Sequence, residues 1–156
     1  MGAVGVRRAT PADAPVLARL LAEFNAEFDT WAPPPPDLRR RFAALLARED
    51  VVVTVSTDQP AAGFALVTLR PSPYYDGPVA ALDELYVAPS RRGQGLGSAL
   101  LALAVDAVLD LGGGEIQINV DEDDRDARRF YERHGFTNLE SGSTERMLCY
   151  LRELRP

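Results

Sequence analysis

The chain carries a single cysteine, Cys149, so no intrachain disulfide can form. A reducing compartment suits such a sequence, and it reads as cytoplasmic. No apolar run is long enough to cross a bilayer, which argues against a membrane partner. Met1 to Arg8 lack the apolar stretch of a secretory leader. They also miss the myristoylation pattern, because Val6 stands where serine or threonine is required. His134 is the only histidine. Cys149 has no companion residues that would make it a nucleophile. A basic excess is also missing: 17 basic residues face 23 acidic ones, a formal charge of −6. That balance argues against a nucleic-acid partner. It suits a cationic ligand, or serves solubility alone.

What the chain does have is the composition of a soluble globular protein, 46% apolar and 26% charged. Its 156 residues can bury a substantial core, and one domain over residues 1–156 is expected.

The most informative stretch runs from Asp83 to Ser98. It reads as a buried strand, a turn, a basic glycine-rich loop and the start of a helix. Gly93, Gly95 and Gly97 stand at alternate positions, where the absent Cβ atoms let backbone N–H groups approach a ligand. The helix opening near Leu96 adds unpaired N–H groups and the positive end of its dipole. Arg91 and Arg92 place charge at the rim. The loop is suited to a pyrophosphate. It is not the dinucleotide fingerprint, whose glycine spacing differs, and no lysine follows its glycines as a Walker loop requires.

The remaining chain supplies the frame. Val4–Arg8 reads as a strand. Thr10, Pro11 and Asp13 announce a helix as cap, first-turn proline and capping-box acid. Leu17, Leu20, Leu21, Phe24 and Phe28 give that helix one apolar face, with Asp13, Arg19, Glu23 and Glu27 largely opposite. Pro33 to Pro36 form a stiff connector before a second helix over 37–48. Val51–Ser56 and Gly63–Leu69 predict a hairpin. Tyr74 and Tyr75 sit in a loop where they could line a pocket or cover a sheet edge. Val79–Val87 is the next strand. A helix over 96–111 ends at Gly112–Gly114, and Glu115–Val120 predicts a strand parallel to the preceding one. The acidic run Asp121–Asp126 lacks the EF-hand glycine and glutamate positions and reads as a solvated helix start, with no metal site. Thr144–Leu154 alternates loosely and predicts a closing strand.

Two motifs carry a family resemblance. Arg92-x-x-Gly95-x-Gly97 resembles the acetyl-CoA-binding loop of the GCN5-related N-acetyltransferases. Ala127, Phe130, Tyr131, Gly135 and Phe136 resemble that family's second signature, with Asp124 where an asparagine is usual. The resemblance implies an α/β (α+β) fold: a mixed, mostly antiparallel sheet of six to seven strands, about four flanking helices and two splayed central parallel strands. It implies an enzyme that uses acetyl-CoA as co-substrate to acetylate a primary amine, small-molecule or peptide, in a ternary complex. It further implies coenzyme contacts at Leu85, Tyr86, Val87, Arg92, Gly93, Gln94, Gly95, Leu96, Gly97, Ser98, Asp124 and Tyr131, and acceptor contacts at Phe28, Asp29 and Trp31. A homodimer is compatible with it. A non-catalytic acyl-CoA-binding module is the alternative function.

The chemistry asks for a base and an acid. An amine of pKa ~10 is mostly protonated at neutral pH, so a carboxylate must take its proton. Glu84 and Asp83 are the candidates; strand alternation points them to opposite faces, so one of them is expected to face the acceptor. Tyr131, placed beside the coenzyme sulfur by the resemblance, has a phenol pKa of ~10, so it is protonated at neutral pH and holds a proton for the departing thiolate. His134 reads as a helix C-terminal residue.

Overall fold

The computed structural model describes residues 4–154. Residues 1–3, which form part of the leader reading, and residues 155–156 lie outside it. The chain forms two compact units, Met1–Ile118 and Asn119–Pro156.

The first unit is built on a five-stranded sheet in sequential order: β1 (Val6–Arg8), β2 (Val51–Ser56), β3 (Gly63–Arg70), β4 (Val79–Val87) and β5 (Glu115–Gln117). The first four strands pair antiparallel, and β5 joins β4 in parallel. The mixed, mostly antiparallel sheet is therefore as expected, with fewer strands. β1 and β5 are also shorter than their sequence patterns. β2 is buried along its whole length, so its β-branched run lies between two layers.

On one face, α1 (Ala14–Glu27) and α2 (Pro35–Leu46) pack Leu17, Leu20, Leu38 and Phe42 against Val51, Val53, Val55, Phe64, Leu66 and Tyr86. Burying each such side chain contributes about 1.5–3 kcal/mol. On the other face lies α3 (Leu96–Asp110), where the Thr54 hydroxyl donates to the Leu100 carbonyl at 3.1 Å.

Two local expectations are corrected, and one open alternative is decided. α2 begins at Pro35 rather than at Asp37, because a proline in the first turn gives up no helical hydrogen bond. Asp13 is buried, not on the solvent side. It accepts two bonds from the Arg7 guanidinium, both at 2.8 Å, and one from the Thr10 N–H at 2.7 Å. These bonds hold its carboxyl at about 2, with the Arg7 hydrogen bonds the largest cause. Tyr75 covers a sheet edge, its hydroxyl donating to Glu115 on β5 at 3.0 Å, while Tyr74 stands in solvent.

The second unit holds α4 (Arg125–Arg133) and, beyond it, one isolated antiparallel bridge between Leu139 and Arg146. The expected closing strand over 144–154 is not formed. Its alternation is loose, and an extended segment without a hydrogen-bonded neighbour is not a strand. Among the described residues, no helix is long and apolar enough to cross a membrane, and no group of three or more His, Cys, Asp or Glu could hold a metal ion.

Candidate active site

The site begins with an interruption in β4. Its ladder with β5 covers only Val79–Glu115, Ala80–Ile116 and Ala81–Gln117. Among the described residues, β4 from Leu82 to Val87 has a strand partner on the β3 side alone. Which backbone groups face the open side follows from the register. Ala88 N–H bonds the Ala62 carbonyl at 2.7 Å, so that facing pair sits at a bonding position, with the Ala62 N–H turned to Ser56 Oγ. Bonding pairs alternate along an antiparallel ladder, so Tyr86 and Glu84 bond β3, while Leu85 and Val87 turn their N–H and C=O outward. The Val87 carbonyl indeed accepts a bond from outside the ladder, from Arg92 Nε at 2.9 Å. The open edge offers backbone donors and acceptors spaced for an extended chain bearing amides.

This edge leads into the glycine loop. Gly93 and Gly95 have φ of 70° and 85°, the left-handed region that side chains resist. A Cβ at Gly93 would meet nothing within 4 Å, so conformation and not crowding requires glycine there. Gly95 caps α3 without any side-chain hydrogen bond. The first-turn N–H groups of a helix have no acceptor within it, and with the dipole they favour an anion. Nearby side chains brace the loop. Gln94 accepts from Arg91 Nε at 3.1 Å and donates to the Ser90 carbonyl at 3.1 Å. Neither arginine leaves an unpaired charge at the rim, contrary to expectation. Arg91 pairs with Asp58, and Arg92 forms a bidentate pair with Glu27 at 2.6 Å for both bonds. The Arg92 backbone N–H is engaged as well, donating to the Pro89 carbonyl at 3.3 Å. The pairing lowers the Glu27 carboxyl below its ordinary range.

Asp83 and Glu84 correct another expectation. Leu66 faces Glu84, but the next residue, Val67, faces Leu82, so Asp83 is an extra residue in β4. Such a bulge breaks strict alternation and re-aims side chains. The Thr68 hydroxyl, on the same face of β3 as Leu66, donates to Asp83 at 2.6 Å. Both carboxylates thus lie on the α1/α2 side of the sheet. Burial pushes the Glu84 carboxyl above its ordinary range, and the Asp83 charge adds to the shift. Tyr86, two residues on, is buried against Phe24, with ring centroids 5.1 Å apart. Burial raises its phenol, followed by the charges of Glu27 and Glu23 on α1. This side of β4 is consequently aromatic and acidic. At the end of α1, Asp29 adopts φ 51°, and Phe28 and Trp31 are 57% and 78% exposed. They are not core residues.

In the second unit, Asp124 caps α4, its Oδ1 accepting from Ala127 N–H at 3.0 Å. This gives the departure from asparagine a local reason, since an N-cap needs only an acceptor. Tyr131 is buried, with the Phe136 ring 5.4 Å away. His134 closes the helix, its Nδ1 lying 2.7 Å from the Phe130 carbonyl, as expected of a C-terminal histidine.

Sequence reasoning did not single out Thr68, Glu27 or Glu23 as neighbours of the site. Contacts made across 15 and 65 residues leave no local pattern to read.

An open-edged strand running into a glycine loop and helix start defines a class, and comparison with known proteins agrees. Residues 17–136 match the Acetyltransferase (GNAT) family, and the chain belongs to that family of acetyltransferase enzymes. It is 31% identical to the aminoglycoside N(6')-acetyltransferase type 1 of Stenotrophomonas maltophilia, over 97% of this chain and 94% of that protein. It is 52% identical to a crystallised candidate acetyltransferase of Arthrobacter sp. FB24, with a TM-score of 0.90 over 99% of this chain and 97% of that one. An aminoglycoside acetyltransferase from an uncultured soil metagenomic sample, meta-AAC0020, has the same fold at 20% identity, with a TM-score of 0.81 over 97% of each chain.

Proposed function

We propose that the chain is an acetyl-CoA-dependent N-acetyltransferase for a primary amine on a cationic small molecule, acting as one catalytic domain over residues 1–156 in the cytoplasm. The observation that carries this is the open edge of β4 at Leu85 and Val87, continuous with the left-handed glycines and the start of α3 at Leu96. Those outward backbone groups suit the amides of a pantetheine arm. The amides from Gly93 to Gly97 suit its diphosphate. Acetyl-CoA supplies the activated acetyl thioester.

Glu84 takes a proton from the acceptor ammonium, directly or through water, and its raised pKa brings it nearer the operating pH of a general base. The amine nitrogen then forms a bond to the thioester carbonyl carbon and the C–S bond breaks. Tyr131 gives its phenolic proton to the departing thiolate, and the second proton, lost by the nitrogen as it becomes an amide, restores the phenol through solvent. Asp83 and Glu84 on the α1/α2 side of β4, together with the formal charge of −6, favour a cationic acceptor. Phe28, Asp29 and Trp31 border that side. An aminoglycoside is the first acceptor to try, given the relative aligned along nearly the whole chain.

The test is thiol release from acetyl-CoA across a panel of amines led by aminoglycosides. Turnover of one class, with kcat reduced about 10–100-fold by Tyr131→Phe, supports the proposal. Coenzyme A binding without turnover of any amine, and unchanged by Tyr131→Phe, would point instead to an acyl-CoA-binding module.

A further inference from the structure

Glu27 is the last residue of α1, yet its partner stands in the glycine loop, 65 residues away. Both of its oxygens accept from Arg92, through Nη1 and Nη2. The same guanidinium reaches the Val87 carbonyl through Nε and lies 5.9 Å over the Tyr86 ring. A guanidinium is a rigid planar fork, so these contacts fix Arg92 in orientation as well as in position.

The residues directly after Glu27 form a tight turn. Asp29 is left-handed, and Thr30 N–H bonds back to the Asn25 carbonyl at 2.8 Å. The turn carries Phe28, Asp29 and Trp31. Phe24 braces it, with ring centroids 5.4 Å from Phe28 and 5.1 Å from Tyr86. One contact cluster therefore joins the end of β4, the first residue of the glycine loop and the turn after α1.

We propose that Glu27 is a positioning residue: its paired bonds to Arg92 tie the Phe28–Trp31 turn to the glycine loop, so that a coenzyme seated on the loop orders the turn. The inference rests on the reading of that loop as the coenzyme site. The physical route is short. An anion held by the loop amides restrains the loop, and Arg92 is part of the loop. The fork passes that restraint to Glu27, and the turn begins one residue later. Such coupling is reciprocal, so a ligand held by the turn would tighten coenzyme binding by the same factor. A pair that served stability alone would loosen both regions whether or not coenzyme were present.

Trp31 is the only tryptophan and stands in solvent on the turn, so its emission reports this one place. The parent chain and Glu27→Gln are titrated with coenzyme A, following heat by calorimetry and Trp31 emission in parallel. In the parent, both signals change. In Glu27→Gln, the coenzyme A Kd rises less than about threefold while most of the Trp31 response disappears. Amide exchange in the parent provides a second reading that needs no variant: coenzyme A slows exchange at residues 27–31 by about 3–10-fold. A full Trp31 response in Glu27→Gln would overturn the proposal, as would equal loss of heat and response, or unchanged exchange in the parent. A parent that gives no heat with coenzyme A removes the coenzyme reading and this inference with it. Normal heat with silent Trp31 removes only the positioning role.

Discussion

The two halves of β4 belong to one strand and have different tasks. Val79–Ala81 is paired on both sides, and Val79 and Ala80 are fully buried. Leu82–Val87 is paired on one side, contains the bulge at Asp83, and places a half-buried carboxylate and two sets of backbone groups outside the ladder. A strand with both neighbours leaves no hydrogen-bonding capacity for a ligand. A strand that loses one neighbour partway does, while its paired half keeps it anchored. The division of labour comes from where β5 stops and from the two carboxylates, Asp83 and Glu84, that the second half carries.

If that contrast holds, damage to the first half unfolds the protein and damage to the second half disables it. The largest effect is expected for Ala80→Asp, which places an unpaired charge in the core. It should cost about 3–5 kcal/mol, seen as a large fall in the urea midpoint. Glu84→Gln should lower kcat/KM about 100-fold, roughly 2.7 kcal/mol of transition-state stabilisation. Its stability should hold or rise at neutral pH. A carboxyl whose folded pKa is raised favours the folded state most below its unfolded pKa, and that contribution is lost as pH rises through the folded one. Removing the charge therefore helps above that window. A large loss of stability in Glu84→Gln would erase the contrast between the halves.

Asp13→Asn tests a buried acid far along the chain from β4. It should cost about 1–2 kcal/mol at neutral pH and leave kcat unchanged. The Asp13 carboxyl is depressed to about 2, so its contribution is present above the unfolded value of 3.8 and fades as pH falls toward about 2. Melts of parent and variant should accordingly converge in acid. The smallest effect sharpens the account of the bulge. In Asp83→Asn the acid limb of the kcat/KM profile should move to lower pH, because a neighbouring negative charge no longer holds the Glu84 proton. Thr68→Val should move it less, since the Asp83 charge stays but loses its anchor. An unmoved limb in both variants would separate Asp83 from the chemistry.

Motifs with local periodicity were legible. The glycine loop, the helix from Leu96, the α4 signature around Tyr131 and the β-branched run of β2 all appear where their patterns place them. Each rests on contacts within a few residues or on one buried face. The tail misled for the complementary reason: alternation over 144–154 resembles a strand, but strands exist only with partners. Asp83 and Glu84 misled because alternation presumes an unbroken ladder, and the bulge is a property of the β3–β4 pairing. The arginines of the loop looked available because nothing near them in sequence neutralises them; Asp58 and Glu27 do so from afar.

The amino-acid order by itself determined the family, the order of the main elements and the loop suited to an anion, because each depends on spacing that a short stretch of chain enforces. Tertiary structure alone decided which face Asp83 and Glu84 share, where β4 loses its second neighbour, and that Arg92 grips Glu27. Those outcomes depend on strand register and on charges meeting across many residues, and neither is written into any local pattern.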